Sequence, residues 1–269
     1  MLGKRVAIIG AGQMGEALLK GFLKSGILSP GQIILSDIRK DRLSELKAKY
    51  QVEVAKDNIN ALEKSDVVIL AVKPQQIDGV LTEISRVIKE KQILISIAAG
   101  ISTKHIYDKL DKKIPLVRVM PNSPALVGAG ISVTSPGRYA TRESIDLVSK
   151  LFSGVGETIQ LDERYQNEAT AISGSGPAYF YLFVEALIDA GVRSGLTREI
   201  ATKLVVETLI GAGAMLKQTG KHPALLREMV TSPGGTTIAA LEAFEEGGLR
   251  AATFKAIEAA IKRAVELGG

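Results

Sequence analysis

The sequence of 269 residues contains no cysteine and no tryptophan, and aromatic residues make up only 4% of it. Without cysteine the chain has no disulfide, no thiolate metal ligand and no cysteine nucleophile. Its two histidines, His105 and His222, do not stand in a metal-ligand spacing, so no metal site is expected. The scarcity of aromatic side chains also argues against a surface that stacks on nucleic-acid bases.

The charged residues and the apolar residues are scattered along the chain, and this argues against two further classes of protein: those that bind nucleic acid and those that span a membrane. The 34 Lys and Arg exceed the 29 Asp and Glu by five, and the basic residues are scattered, so no nucleic-acid partner is expected. A weakly positive field still favours an anionic cofactor or substrate. No uninterrupted apolar run approaches the roughly 18 residues of a membrane span. With strand-like residues beginning at Val6 and no signal peptide ahead of them, we expect a cytoplasmic protein with no membrane partner.

Strand-like and helical segments alternate over the first 160 or so residues, and only helical segments follow. The strand-like segments are 5–10, 32–37, 66–72, 92–100, 115–121, 128–135 and 157–161, and the helical ones between them are 13–25, 40–49, 75–89, 102–110 and 142–153. The later helical segments are 164–192, 197–217, 222–229 and 236–267. This pattern predicts an α/β domain with a doubly wound parallel sheet over residues 1–162, then an all-α domain over 163–269.

The helical segments near 178–190 and 204–216 are apolar on more than one face. Such a helix is buried, either inside a large protein or against another subunit. The sequence therefore leaves two interpretations open: the second domain dimerises, or its helices pack against the sheet.

Residues Gly10–Ala11–Gly12–Gln13–Met14–Gly15 form a G-x-G-x-x-G pattern between a predicted strand and a predicted helix. In that context the pattern indicates a dinucleotide-binding (Rossmann) domain, with the pyrophosphate at the N-terminus of the helix. A glycine turn with no nucleotide is the alternative.

The end of the second predicted strand bears on the choice of cofactor. Asp37 stands where an acid reads the ribose 2′-hydroxyl of NAD, although it also suits the N-terminal end of a helix. Ser36, Arg39, Lys40 and Arg42 suit the 2′-phosphate of NADP. NADPH is therefore the predicted cofactor, with NADH tolerated.

Three further strand ends carry turn-forming residues. They are Val72–Lys73–Pro74, Ala98–Ala99–Gly100 and Met120–Pro121–Asn122. Ligands of doubly wound sheets bind at the carboxyl ends of strands, so these segments are expected to line the cofactor crevice. The alternative for Lys73 is that it is a solvated lysine at a strand end, with no role in the crevice.

Several blocks of the sequence resemble those of pyrroline-5-carboxylate reductases, in the family's order and from residue 6 to about 260. They are IGAGQMG, AVKPQ, SIAAGIS, RVMPNSPALVGAG, ISGSGPAYFYLFVEAL and TSPGGTTIAAL. The resemblance implies the last step of proline biosynthesis, in which hydride from NAD(P)H reduces L-1-pyrroline-5-carboxylate to L-proline. It also implies a homodimer through the C-terminal helices, with further assembly to a decamer.

The resemblance assigns roles to individual residues. Thr237 is implied as the catalytic residue, its hydroxyl bonding the ring nitrogen of the substrate. The substrate-binding set is Glu163, Ser175, Ser232, Gly235, Thr236 and Thr237. The implied cofactor-binding set is Gly10, Ala11, Gly12, Gln13, Met14, Gly15, Ser36, Asn58, Val72, Lys73, Pro74, Ala98, Ala99 and Gly100, to which the residue pattern itself adds Arg39 and Ala71. Met229 is a departure, because some members carry there an asparagine that touches the cofactor.

Two rival functions remain at the level of sequence. β-Hydroxyacid dehydrogenases share the domain plan but need a catalytic lysine after their Gly-Ser-Gly block, and residues 174–202 contain no lysine. A non-catalytic NADP sensor would keep the same fold and bind the cofactor without consuming it.

Overall fold

The buried β-branched runs of the sequence form one mixed sheet. In the computed structural model, which describes residues 2–268, its eight strands are β1 (Val6–Ile9), β2 (Ile33–Ser36), β3 (Glu53–Val54), β4 (Val67–Leu70), β5 (Ile93–Ser96), β6 (Leu116–Pro121), β7 (Gly130–Pro136) and β8 (Gly156–Gln160). Strands β1, β2 and β4 are buried at every position, as expected for a sheet covered on both faces. The strand order is β3-β2-β1-β4-β5-β6-β7-β8.

The first six strands pair in parallel, which confirms the doubly wound sheet. Strand β7 runs antiparallel to β6, contrary to a uniform succession of βαβ units. The reason is the short connection over residues 122–129, which holds one turn of 3₁₀ helix and is too short for a parallel crossover. Sequence patterning also missed β3, which is only two residues long.

Helices flank the sheet and continue after it. In chain order they are α1 (Gln13–Lys24), α2 (Lys40–Tyr50), α3 (Asn58–Glu63), α4 (Ile77–Ile84), α5 (Thr103–Leu110), α6 (Arg142–Phe152), α7 (Gln166–Ala169), α8 (Gly176–Arg193), α9 (Arg198–Thr219), α10 (Pro223–Met229), α11 (Thr236–Glu246) and α12 (Leu249–Gly268). Helix α3 was not predicted. The single helix predicted over 236–267 is two, because Gly248 adopts a φ of +71° between α11 and α12.

The chain divides into two compact units. One contains the residues up to Ser175 together with those from Ile261 onward, and the other is Gly176–Ala260. The predicted domain boundary between residues 162 and 163 lies earlier in the chain and stays a prediction.

Most large apolar side chains of the second unit are exposed. On α8 the side chains of Phe180, Tyr181 and Leu182 are all more than half exposed, and the only buried residue of that helix is Gly176. By length and composition, the continuous helical stretch Glu163–Arg193 is also apolar enough to cross a membrane. The same composition suits a helix that is covered by another protein chain.

Candidate active site

A cleft of about 970 Å³ lies at the carboxyl edge of the sheet, within the first unit. Parallel pairing brings the ends of β1, β2, β4 and β5 to this edge, which is where ligands of doubly wound sheets bind. Most of the predicted cofactor residues line it: Gly10, Gly12, Gln13, Met14, Ser36, Arg39, Asn58, Ala71, Val72, Lys73, Pro74, Ala98 and Ala99. The structure thus gathers segments that lie up to 89 positions apart in the sequence, from Gly10 to Ala99.

Two glycines of the loop are required by the protein itself. Gly10 has a φ of +102°, and a Cβ there would lie 2.6 Å from the Ala71 carbonyl oxygen. A Cβ on Gly15 would lie 2.1 Å from the carbonyl oxygen of Gly10. These contacts hold the turn between β1 and α1 against the neighbouring strand end and leave no room for a side chain.

Gly12 is different, because nothing in the protein requires a glycine there. Its φ of −70° suits any residue, and a Cβ would meet no atom within 4 Å. Gly12 lines the cleft and is the N-cap of α1, where no side chain caps the helix. The space beside Gly12 and the first N–H groups of α1 therefore fit a phosphate that approaches the backbone closely.

Asp37 fastens this loop to the second strand. Its Oδ2 accepts the Ala11 N–H at 2.7 Å, and its Oδ1 accepts the backbone N–H and the Nε–H of Arg39 at 2.9 and 3.1 Å. Burial raises the pKa of Asp37, but the hydrogen bonds from Arg39 and Ala11 lower it by more. The carboxylate therefore anchors the loop and orients Arg39; Asp37 also lines the cleft, so its contact with a ribose stays a prediction.

A chain of polar side chains borders the cleft beside Arg39. The Ser36 hydroxyl donates to Asn58 Oδ1 at 2.7 Å, and Asn58 Nδ2 donates to Glu83 Oε2 at 2.7 Å. Asn58 is the first residue of α3, which Asp57 caps by accepting the Asn60 N–H at 2.8 Å. The short helix that sequence patterning missed is thus what brings Asn58 to the cleft.

Three residues of the predicted cofactor-binding set lie outside the lining, and several residues outside that set belong to it. Ala11, Gly15 and Gly100 are not among the lining residues; Ala11 is fully buried, and Gly15 packs against Gly10. The lining residues outside the set are Ile9, Asp37, Ile38, Gln76, Gly79, Val80, Glu83, Ile97, Met120 and Pro121. Of these, the sequence pointed to Asp37 as a possible ribose contact and to the strand end at Met120 and Pro121 as part of the crevice.

Glu16, in the first turn of α1, holds the start of that helix against α2. It accepts hydrogen bonds from Lys49 Nζ at 2.9 Å and from the Tyr50 hydroxyl at 2.8 Å, and it pairs with Arg42. The Nε–H of Arg42 also donates to the Ala11 carbonyl at 3.2 Å. Burial raises the pKa of Glu16, but its three partners outweigh that effect and bring the pKa from 4.5 to about 2.

We expect Glu16→Gln to lower the free energy of unfolding by on the order of 3 kcal/mol at pH 7. Because the folded-state pKa is depressed, the stabilisation is complete above pH 4.5 and is lost as the pH falls through 4.5 towards 2. Urea denaturation of wild type and variant at several pH values measures it. Glu143→Gln is the matched control, since Glu143 is an exposed acid in the first turn of α6. A constant difference between wild type and Glu16→Gln down to pH 3 would contradict the assignment.

The Glu163 carboxylate is already engaged within the first unit. It accepts the backbone N–H of Thr103 at 2.7 Å, the Thr103 hydroxyl at 2.5 Å and Arg118 Nη1 at 3.2 Å. Ser175 follows a π-helical turn, Thr170–Gly174, and its N–H donates to the Thr170 carbonyl at 2.9 Å. Glu163 therefore ties α5 and β6 together, whatever contact it also makes with a substrate.

The TSPGGTTI segment in the second unit is a tight turn that opens α11. Gly234 has a φ of +64°, which favours glycine, and a Cβ on Gly235 would lie 2.3 Å from the Ser232 hydroxyl oxygen, so a side chain at Gly235 would displace that hydroxyl. The Gly235 N–H donates to the Ser232 carbonyl at 3.1 Å and is not available to a ligand. Gly235 is the N-cap of α11, with no side-chain cap, so Thr236 and Thr237 carry N–H groups that have no partner in the helix. The turn therefore offers an anion site with the Thr237 hydroxyl beside it.

Comparisons with known proteins cover nearly the whole chain. Residues 163–267 match the family model for pyrroline-5-carboxylate reductase dimerisation, and residues 5–100 match the model for NADP oxidoreductases, coenzyme F420-dependent. A pyrroline-5-carboxylate reductase of Methanosarcina acetivorans is 41% identical over 268 residues, which is 100% of this chain and 99% of the relative. The chain belongs to the pyrroline-5-carboxylate reductase family.

Solved structures of this family agree with the fold. A pyrroline-5-carboxylate reductase from Coxiella burnetii superposes with a TM-score of 0.94 at 36% identity, covering 99% of each chain. A pyrroline carboxylate reductase of Plasmodium falciparum with NADP bound superposes with a TM-score of 0.90 at 30% identity, covering 100% of each. As a pyrroline-5-carboxylate reductase, the chain is an NADP-dependent oxidoreductase with a Rossmann domain and a helical dimerisation region.

Proposed function

We propose that this protein reduces L-1-pyrroline-5-carboxylate to L-proline, the last step of proline biosynthesis, with NADPH as the preferred cofactor and NADH as a poorer one. The observation that carries the proposal is full-length identity of about two residues in five to reductases of this name. A cytoplasmic location and the absence of nucleic-acid and membrane partners belong to the same proposal.

NADPH fits the cleft of the first unit. The loop from Gly10 to Gly15 and the start of α1 would hold the pyrophosphate, as the open position at Gly12 supports. Ser36, Arg39 and Asn58 would hold the adenosine ribose and its phosphate. The segments Val72–Lys73–Pro74 and Ala98–Ala99–Gly100 would line the remainder of the cofactor. When bound, NADPH supplies the hydride.

Arg39 is the proposed determinant of the preference for NADPH. Its guanidinium is about half exposed beside the cleft and is oriented by Asp37. We expect Arg39→Ala to raise the KM for NADPH about tenfold or more, because a charge-assisted bond to the 2′-phosphate is lost, and to leave the KM for NADH unchanged. Steady-state kinetics with both cofactors measure this, and Arg39→Lys, which keeps the charge, is the control. Equal losses with NADPH and NADH would show that Arg39 does not read the 2′-phosphate.

The residues proposed for the substrate stand mainly in the TSPGGTTI turn. The backbone N–H groups of Thr236 and Thr237 and the Ser232 hydroxyl would bind the carboxylate at the start of α11. The Thr237 hydroxyl would hydrogen-bond the ring nitrogen, orient the C=N bond and support the nascent amine. The N–H of Gly235 is engaged inside the turn, so its part is to leave room for the Ser232 hydroxyl.

Glu163 and Ser175 complete the proposed substrate set from the first unit. The Glu163 carboxylate accepts from Thr103 and Arg118, so its main part is to hold the surrounding elements in place. The Ser175 hydroxyl, at the end of the π-helical turn, is the more direct candidate for substrate contact.

A homodimer that assembles further to a decamer is proposed for the second unit. The match of residues 163–267 to a dimerisation region supports it, as do the exposed apolar side chains of α8 and α9. A second copy that covers these helices would remove a large apolar surface from water. Sedimentation analysis tests the assembly: ten subunits agree with the full proposal, two with its first part only, and one contradicts it.

The decisive assay follows the nicotinamide absorbance after pyrroline-5-carboxylate is added to the protein with NADPH, and with NADH in parallel. Loss of absorbance that depends on the substrate, and is faster with NADPH, is the expected result. Cofactor binding without turnover at saturating substrate would favour the sensor.

A further inference from the structure

Asn122 joins the end of β6 to the helical segment that carries Ser175. Its Nδ2 donates to the backbone carbonyl of Ser173 at 3.1 Å, and its Oδ1 accepts the Ile131 N–H at 2.9 Å. The residue is 9% exposed. Because a carbonyl only accepts and an N–H only donates, the two partners determine which way the amide faces.

The Ser173 carbonyl needs a donor because of the proline that follows four residues later. In an α-helix that carbonyl would accept the N–H of residue 177, but Pro177 has none. The helix here widens into the π-helical turn Thr170–Gly174, a kind of interruption that occurs often at functional sites. The Asn122 amide supplies the hydrogen bond that Pro177 cannot make.

The residues next to Asn122 in β6 belong to the cofactor cleft. Met120 and Pro121 line it, and a Cβ on Gly174 would lie only 3.2 Å from Met120 Cε. The end of β6 and the π-helical turn are therefore in close contact, and Ser175 is the next residue. Asn122 thus sets the position of Ser175 relative to the cleft.

We propose that Asn122 is a positioning residue for the reduction: its amide nitrogen holds the π-helical turn so that Ser175 stands where it contacts the substrate. This inference rests on the proposed function, since it uses Ser175 as a substrate-binding residue. Asn122 itself is not among the residues that line the cleft. Its loss therefore affects the use of pyrroline-5-carboxylate and spares the affinity for NADPH.

Asn122→Asp is the test, because the aspartate keeps an acceptor for the Ile131 N–H and loses the donor to Ser173. We expect kcat/KM for pyrroline-5-carboxylate to fall about ten- to a hundredfold, the scale of a small misplacement at a reacting centre. The Kd for NADPH, measured by fluorescence titration, stays at the wild-type value. If the aspartate variant does not fold, Asn122→Leu, which is of similar size, removes the donor without burying a charge and carries the same expectation.

Gln92→Glu is the matched control. The buried Gln92 amide likewise accepts a backbone N–H, that of Lys89 at 2.8 Å, and donates to the carbonyls of Leu62 and Ser65 at 2.8 Å. None of these residues lines the cleft. We expect this variant to melt at a lower temperature and to keep the wild-type kcat/KM.

The outcomes separate the positioning role from the proposed function. A folded Asn122→Asp with wild-type kcat/KM overturns the positioning role. A parallel loss of NADPH affinity also overturns it, since Asn122 would then support the cofactor cleft as a whole. A wild-type protein that does not reduce pyrroline-5-carboxylate refutes the proposed function and this inference together.

Discussion

Thr237→Ala is expected to lower kcat for pyrroline-5-carboxylate about ten- to a thousandfold, the scale of losing one positioned donor or proton-transfer group. The hydroxyl of Thr237 stands in the first turn of α11, next to N–H groups that are free to bind the substrate carboxylate. A neutral hydroxyl suits this role because it orients the ring nitrogen without binding its protonated form too tightly in the ground state. Steady-state kinetics at saturating NADPH measure the loss.

Thr237→Ser is the matched control for this prediction. It keeps the hydroxyl and removes only a methyl group, so most of the activity is retained. Both variants bind NADPH with the wild-type Kd, because Thr237 is assigned to the substrate alone. Wild-type kcat in Thr237→Ala, or equal losses in both variants, would contradict the role given to the hydroxyl.

Gly12→Ala is expected to raise the Kd for NADPH about tenfold or more while the free energy of unfolding stays near the wild-type value. The added Cβ meets no protein atom within 4 Å, so the fold has room for it. The Cβ does occupy the space through which a pyrophosphate would approach the start of α1, and this overpacking weakens the binding of NADPH. Fluorescence titration with NADPH and thermal unfolding give the two quantities.

Two other glycines provide the contrast. Gly15→Ala is expected to destabilise the fold itself, because its Cβ would lie 2.1 Å from the Gly10 carbonyl oxygen. Gly31 lies outside the cleft, and a Cβ there also meets nothing within 4 Å. Gly31→Ala should therefore change neither the Kd for NADPH nor the free energy of unfolding. Unchanged NADPH affinity in Gly12→Ala would show that the cofactor does not approach the backbone at this position.

Much of the first unit was predictable because a doubly wound sheet leaves strong signals. Strands buried on both faces appear as continuous β-branched runs, and the glycine pattern marks the turn from β1 into α1. The missed elements are short: β3 has two residues and α3 has six, too few to show a period. Strand β7 was predicted, but its antiparallel orientation was not, because the orientation of a strand depends on its connection, and an apolar run carries no direction.

The site was predictable where backbone geometry demands a residue type, and less so where side chains meet across the fold. Gly10 and Gly15 are required by close contacts that a glycine pattern signals. Asp37 also accepts the Ala11 N–H, a contact between positions 26 apart that sequence spacing does not reveal. The bond between Asn122 and Ser173 joins positions 51 apart and is equally invisible in the sequence.

The most direct test of the proposed reaction is the fate of a labelled hydride. The purified protein is given L-1-pyrroline-5-carboxylate and NADPH carrying deuterium at both C4 positions of the nicotinamide, and the proline formed is analysed by mass spectrometry and NMR. The account predicts L-proline with one deuterium at C5 for each NADP formed. Unlabelled proline, or oxidation of the cofactor without proline, would contradict it.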